Sequence, residues 1–148
     1  MLSKKNGFSY MMVLIMAAGL FLLASAMSAV IYSRAMRMEK EKELIFRGLE
    51  YKKAIKSYIE TGSGEHQPPL RLEDLLSDPR YSDKKHIRRL YREPVTNGDW
   101  NLILDDDNRI VGVSSRSCQK PLKTKGFPDE LKNFESAQTY RDWIFIAK

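Results

Sequence analysis

From Phe8 to Ser33 the chain carries no charged residue and is apolar at nearly every position. A helix of about 20 such residues crosses the hydrocarbon core of a bilayer, so the segment is long enough to span one. Behind it the pattern changes: Leu44, Gly48, Tyr51, Ile55 and Tyr58 recur at intervals of four and three, with Lys and Glu between them. That spacing predicts an amphipathic helix with one apolar stripe. No proline occurs before Pro68, and the first turn-forming cluster is Thr61-Gly62-Ser63-Gly64, so nothing interrupts the helical reading between Phe8 and about Glu60. One continuous helix, roughly 80 Å long at 1.5 Å per residue, is expected. Its stripe needs a cover, and the C-terminal half of the chain is the candidate.

That half reads as small elements. Gly62 to Pro69 has the composition of a loop, and Leu70 to Leu76 predicts one to two helical turns with Leu72, Leu75 and Leu76 on one side. A second short helix is expected from Lys84 to Tyr91, with Ile87, Leu90 and Tyr91 facing inward and Lys84, Lys85, Arg88 and Arg89 outward. Trp100–Leu104 and Arg109–Ser114 are strand-like runs joined by Asp105-Asp106-Asp107-Asn108, which suits a hairpin turn. Tyr140 to Ile146 supplies a third strand. The expected fold class is therefore α+β: a long N-terminal helix packed on a small antiparallel sheet of about three strands.

The net charge of +6 could suggest nucleic acid, but the cations are interleaved with Asp and Glu, as in Arg37-Met38-Glu39-Lys40-Glu41-Lys42-Glu43, which looks like a solvated helix face. No aromatic-basic motif accompanies them, and no nucleic-acid partner is expected. Cys118 is the only cysteine, which excludes an intramolecular disulfide and a CxxC pair; a semi-buried thiol near a strand end is expected. His66 falls in a loop and His86 in the basic short helix, away from any GxSxG, HExxH or phosphate-loop motif, so no catalytic residue is identified and no enzyme is expected. Asp105, Asp106 and Asp107 are the one weak candidate for a metal, calcium, because that ion takes several oxygens from a loop. Their spacing does not fit an EF-hand, and an acidic turn without a cofactor is the favoured reading.

Three origins compete for the apolar segment: a cleaved secretory signal, a signal anchor and a pilin-type anchor. Ala24-Ser25-Ala26 could pass for a signal cleavage site, but the helical pattern runs on through it. The start Lys4-Lys5-Asn6-Gly7-Phe8-Ser9-Tyr10 resembles the leader and processing site of type IV pilins and type II secretion pseudopilins, which have a short basic leader, Gly before the cut and Phe after it. The turn region Tyr91 to Trp100 before the hairpin is similar to the region preceding the strands of the major pseudopilin. The resemblance implies a leader at 1–7, a transmembrane half-helix at 8–33, an amphipathic half at 34–60 and a globular region at 61–148. It also implies cleavage by a prepilin peptidase between Gly7 and Phe8 and methylation of the new amine. Ala17, Ala18, Gly19 and Ala24 would then pack against neighbouring subunits.

Most family members carry Glu at the fifth mature position, where this chain has Met12, so a buried charge pair there is impossible and a minor or divergent subunit is implied. The large tip pseudopilin is among the members that lack this Glu. Major pseudopilins bind calcium through a loop nearer the C-terminus, a pattern that the Asp105–Asp107 turn does not match. The implied function is that of a pseudopilin in the bacterial inner membrane, with its C-terminal domain in the periplasm, an inner-membrane assembly platform and other pilin-like subunits as partners. A Lys/Arg count alone, with Arg34, Arg37, Lys40, Lys42 and Arg47 behind the span, places the C-terminal part inside instead. A minor pilin of a type IV pilus or DNA-uptake system and a monomeric signal-anchored binding protein remain as alternatives.

Overall fold

The computed structural model describes residues 5–62 and 66–147. The chain divides into two compact units, Met1–Arg37 and Met38–Lys148. Helix α1 runs Lys5–Thr61 without a break, as the absence of proline allows. Most of the expected leader, residues 1–4, lies outside the described residues, as do Ser63 and Gly64 of the turn cluster.

In the second unit, the stripe foreseen on α1 is the helix's buried face: Leu44, Tyr51 and Ile55 are fully buried, with Ala54 and Tyr58 beside them. It packs on a three-stranded antiparallel sheet of β1 (Asn101–Leu104), β2 (Ile110–Ser114) and β3 (Ile144–Ile146), with β2 in the middle. The Asp105–Asn108 turn joins β1 to β2, with Asn108 in the left-handed region at φ 56°, a conformation Asn tolerates well. The register slips between Ile103 and Leu104, a bulge that no residue pattern in the hairpin announces.

Helix and sheet meet at a glycine. A Cβ on Gly48 would lie inside the contact radius of the Phe145 ring, and one on Gly112 would stand 2.6 Å from the Phe145 carbonyl oxygen. Phe145 is thus clasped from helix and neighbouring strand by the two residues without side chains. Behind it, Phe134 meets Phe145 edge-on at 5.1 Å and stacks on Trp143 at 5.3 Å, with Tyr140 and Phe127 packed edge-on against Trp143. Such offset and edge-to-face contacts favour one fixed arrangement of the rings.

Four local expectations are corrected. Lys84–Tyr91 forms no helix; its backbone is drawn to the preceding turn, with the N–H groups of His86 and Ile87 both donating to the Leu75 carbonyl at 2.9 and 3.1 Å. Of Leu70–Leu76, Leu72–Leu75 forms a 3-10 turn. The third strand is short because Tyr140–Asp142 is also a 3-10 turn: the Asp142 carboxylate accepts the N–H groups of Gln138 and Thr139 at 3.0 and 2.8 Å, curling the backbone before the strand can start. Cys118 is exposed, not semi-buried. An unforeseen 3-10 segment, Asp129–Ser136, follows Pro128 and buries Leu131 and Phe134. The Pro-Asp-Glu start and the i, i+3 apolar pair were its available signals.

Candidate functional site

The most unusual surface is the first half of α1. Phe8, Tyr10, Leu14, Phe21 and Ile31 stand 63–75% exposed, and none of the large apolar side chains from Phe8 to Tyr32 is buried. Leaving this much apolar surface in water costs about 25 cal/mol per Å², so a lipid or protein environment must cover it. Three of the hydroxyls in the segment are satisfied within the helix. Ser25 and Ser28 donate to the carbonyls of Phe21 and Ala24 at 2.8 and 2.9 Å, and Ser33 to that of Val30 at 2.9 Å. Hydroxyls bonded back into their own helix are what hydrocarbon demands. The helix is long and apolar enough to cross a membrane.

The residues expected to serve assembly lie on this surface but not on one face. At about 100° per residue, Ala17 and Ala24 fall within about 20° of each other, Met12 and Gly19 share the opposite side, and Ala18 lies between. Gly19 is half-buried and the other four are exposed. The junction expected to be cut is helical on both sides, Phe8 is 67% exposed, and the space where a Cβ on Gly7 would sit is empty.

In the second unit, three buried carboxylates fasten loops to the fold. Glu41, on α1, accepts the N–H groups of Leu122 and Lys123 at 2.9 and 2.8 Å and the Tyr140 hydroxyl at 2.9 Å. Glu93 organises the turn before β1: its carboxylate accepts the Val95 and Thr96 N–H groups, the Thr96 hydroxyl and the Ser115 hydroxyl. The Tyr51 hydroxyl locks the same turn, accepting from the Tyr91 N–H at 2.9 Å and donating to its carbonyl at 3.0 Å.

Asp78 is the third. Arg80 donates to it from its backbone and from Nε and Nη2 at 2.8–3.0 Å, and His86 Nε2 lies 3.1 Å away. The Arg80 guanidinium beside it, helped by the backbone bond and by His86, holds this carboxyl well below the usual range despite burial. His86 Nδ1 stands 2.9 Å from Ser57 Oγ, so Ser57, His86 and Asp78 follow the hydroxyl, imidazole, carboxylate order of a hydrolase triad. The His86 and Asp78 side chains are both fully buried, which leaves a substrate no path to the imidazole. The cluster instead ties the 77–87 loop to α1, as Arg80 also does by donating to the Tyr58 carbonyl at 2.7 Å. Sequence reasoning placed His86 on a solvated helix and missed this role; its partners lie 8 and 29 residues away.

At the hairpin, Asp105 Oδ1 accepts the N–H groups of Asp107 and Arg109 at 3.0 and 2.8 Å. Its carboxylate serves the turn, while Asp106 and Asp107 point to solvent. Among the described residues no group of three or more His, Cys, Asp or Glu side chains is arranged to hold a metal ion. No protein-family model, curated protein or solved structure matches this chain.

Proposed function

We propose that this chain is a pilin-like subunit, a pseudopilin of a type II protein secretion system. A prepilin peptidase removes residues 1–7, and the new N-terminus at Phe8 is methylated. The 8–33 segment anchors the protein in the inner membrane with the 61–148 region in the periplasm. With other pilin-like subunits, and on an inner-membrane assembly platform, the anchor later leaves the bilayer and packs into a pseudopilus.

The observation that carries this reading is the exposed apolar half-helix beginning immediately after Gly7. It carries no charged residue from Phe8 to Ser33, which lets it exchange lipid for the helices of neighbouring subunits without burying a charge. Its small residues sit on more than one side, as a subunit surrounded by several neighbours needs. Met12 adds no charge to be buried during that transfer, which suits a minor or divergent position in the fibre.

Assembly is testable with the native cysteine removed. In a Cys118→Ser background, single cysteines replacing Met12, Ala17, Gly19 or Ala24, expressed with the secretion machinery and oxidised in membranes, should give chain-to-chain disulfides at two or more positions on opposite sides of the helix. Monomers at all four positions would contradict assembly through this helix and favour the single anchored protein.

A further inference from the structure

A groove of about 450 Å³ runs beside β1 in the second unit. Tyr91 lines it, backed by the buried Tyr51 and Trp100, with Leu70, Leu72 and Leu102 among the remaining apolar lining. We propose that the groove and the free edge of β1 together bind an extended peptide segment of a partner protein, one whose carboxylate side chains alternate with apolar ones, added to the sheet as a fourth strand.

The edge is open. β2 lies between β1 and β3, so alternate N–H and C=O groups of Asn101–Leu104 point away from the sheet. Among the described residues no backbone hydrogen bond reaches β1 from that side. Asn101-Leu102-Ile103-Leu104 contains neither the charge nor the proline that usually blunts an edge. Leu70, Leu102 and Leu104 are 58%, 39% and 47% exposed beside it. Such a combination is a liability unless something covers it. Four residues offer only two outward pairs of backbone groups, so the groove must supply most of the affinity.

The charge of the groove selects the occupant. Arg71, Arg92 and Arg116 line it together with Glu73 and Asp99, and none of these arginines belongs to an ion pair in the described structure. Guanidinium groups suit carboxylates in a fixed, forked geometry. A strand presents successive side chains to opposite faces, those on one face about 7 Å apart, so such a peptide can turn its carboxylates towards the groove's arginines while its apolar residues lie on the other face of the sheet. A continuous polyphosphate would meet Glu73 and Asp99 as well. Strand addition with side-chain pockets is an established mode of peptide recognition.

Fluorescein-labelled eight-residue peptides titrated by anisotropy against the detergent-solubilised full chain test this. A peptide alternating glutamate and valine should bind at least tenfold more tightly than one alternating lysine and valine. It should also bind at least tenfold more tightly than a glutamate–valine peptide with proline at its fourth and fifth positions, one of which must face the sheet. The double variant Arg92→Glu, Arg116→Glu should lose at least tenfold in affinity with its near-ultraviolet circular dichroism unchanged. Equal binding of the acidic and basic peptides, binding that survives the prolines, or no binding of the acidic peptide at millimolar concentration would each overturn the proposal. These peptide comparisons use the unmodified chain and stand even if the double variant fails to fold.

Discussion

Gly48→Val should strongly destabilise the second unit. The added methyls would have to enter the volume of the Phe145 ring. That ring is 1% exposed and held edge-on by Phe134 at 5.1 Å and Trp100 at 6.5 Å, so it has nowhere to swing. Overpacking a tight core costs about 1–3 kcal/mol, and the rigidity here places the loss at the upper end, about 3 kcal/mol. For a unit of this size that lowers the melting temperature by roughly 10–20 °C, readable by circular dichroism on the solubilised full chain. Gly19→Val is the matched control: no atom lies within 4 Å of a Cβ there, and the melting temperature should not move. Adding Phe145→Leu to Gly48→Ala should recover part of the loss, since two residues in contact do not act additively. Equal melting temperatures for Gly48→Val and wild type would mean that helix and sheet do not meet as described.

Asp78→Asn should be costly at neutral pH and nearly harmless in acid. The carboxylate is fully buried and receives Arg80 and His86. Removing its charge strands a guanidinium that also donates to the Tyr58 carbonyl and lies 3.7 Å from the Tyr58 ring centre. Breaking a buried pair from one side costs about 3 kcal/mol. The sign of the pH dependence follows from linkage. The folded carboxyl titrates below its unfolded value, so its contribution is complete above about pH 4 and drains away as pH falls further towards the folded value. Denaturant midpoints of wild type and Asp78→Asn should therefore differ most at pH 7, begin to approach each other below about pH 4, and converge only in strong acid, as pH reaches the lowered folded value. A gap independent of pH would show that Asp78 acts by packing rather than as a charge.

The parts of this fold that can be read from sequence are those fixed by neighbours. The stripe at Leu44, Tyr51, Ile55 and Tyr58 declares the helix face, and the acidic turn at Asp105–Asn108 declares the hairpin, because each is set by contacts within a few residues. Lys84–Tyr91 was misread for the converse reason: its helical spacing is weak, and two bonds to the Leu75 carbonyl outweigh it. Buried carboxylates are opaque to sequence in the same way. Glu41 sits in a run of alternating charges that looks solvated, and what marks it out is Tyr140, 99 residues away. The groove beside β1 needs Tyr51, Trp100 and Arg116 together, a juxtaposition that only the finished fold creates. The apolar half-helix was legible because being long and apolar enough to cross a membrane is a matter of local composition and length, not of any distant residue.

A pilin-like subunit and a plain anchored protein part at the junction of Gly7 and Phe8, which is read by the N-terminal residue and intact mass of the full chain extracted from membranes of cells that contain a prepilin peptidase. Nothing crowds a Cβ at Gly7, so Gly7→Ala alters the processing site without disturbing the helix. The wild type should yield a product beginning at methylated Phe8, and Gly7→Ala an uncut chain. A wild-type product still beginning at Met1, or one cut after Ala26, would contradict the pilin-like reading.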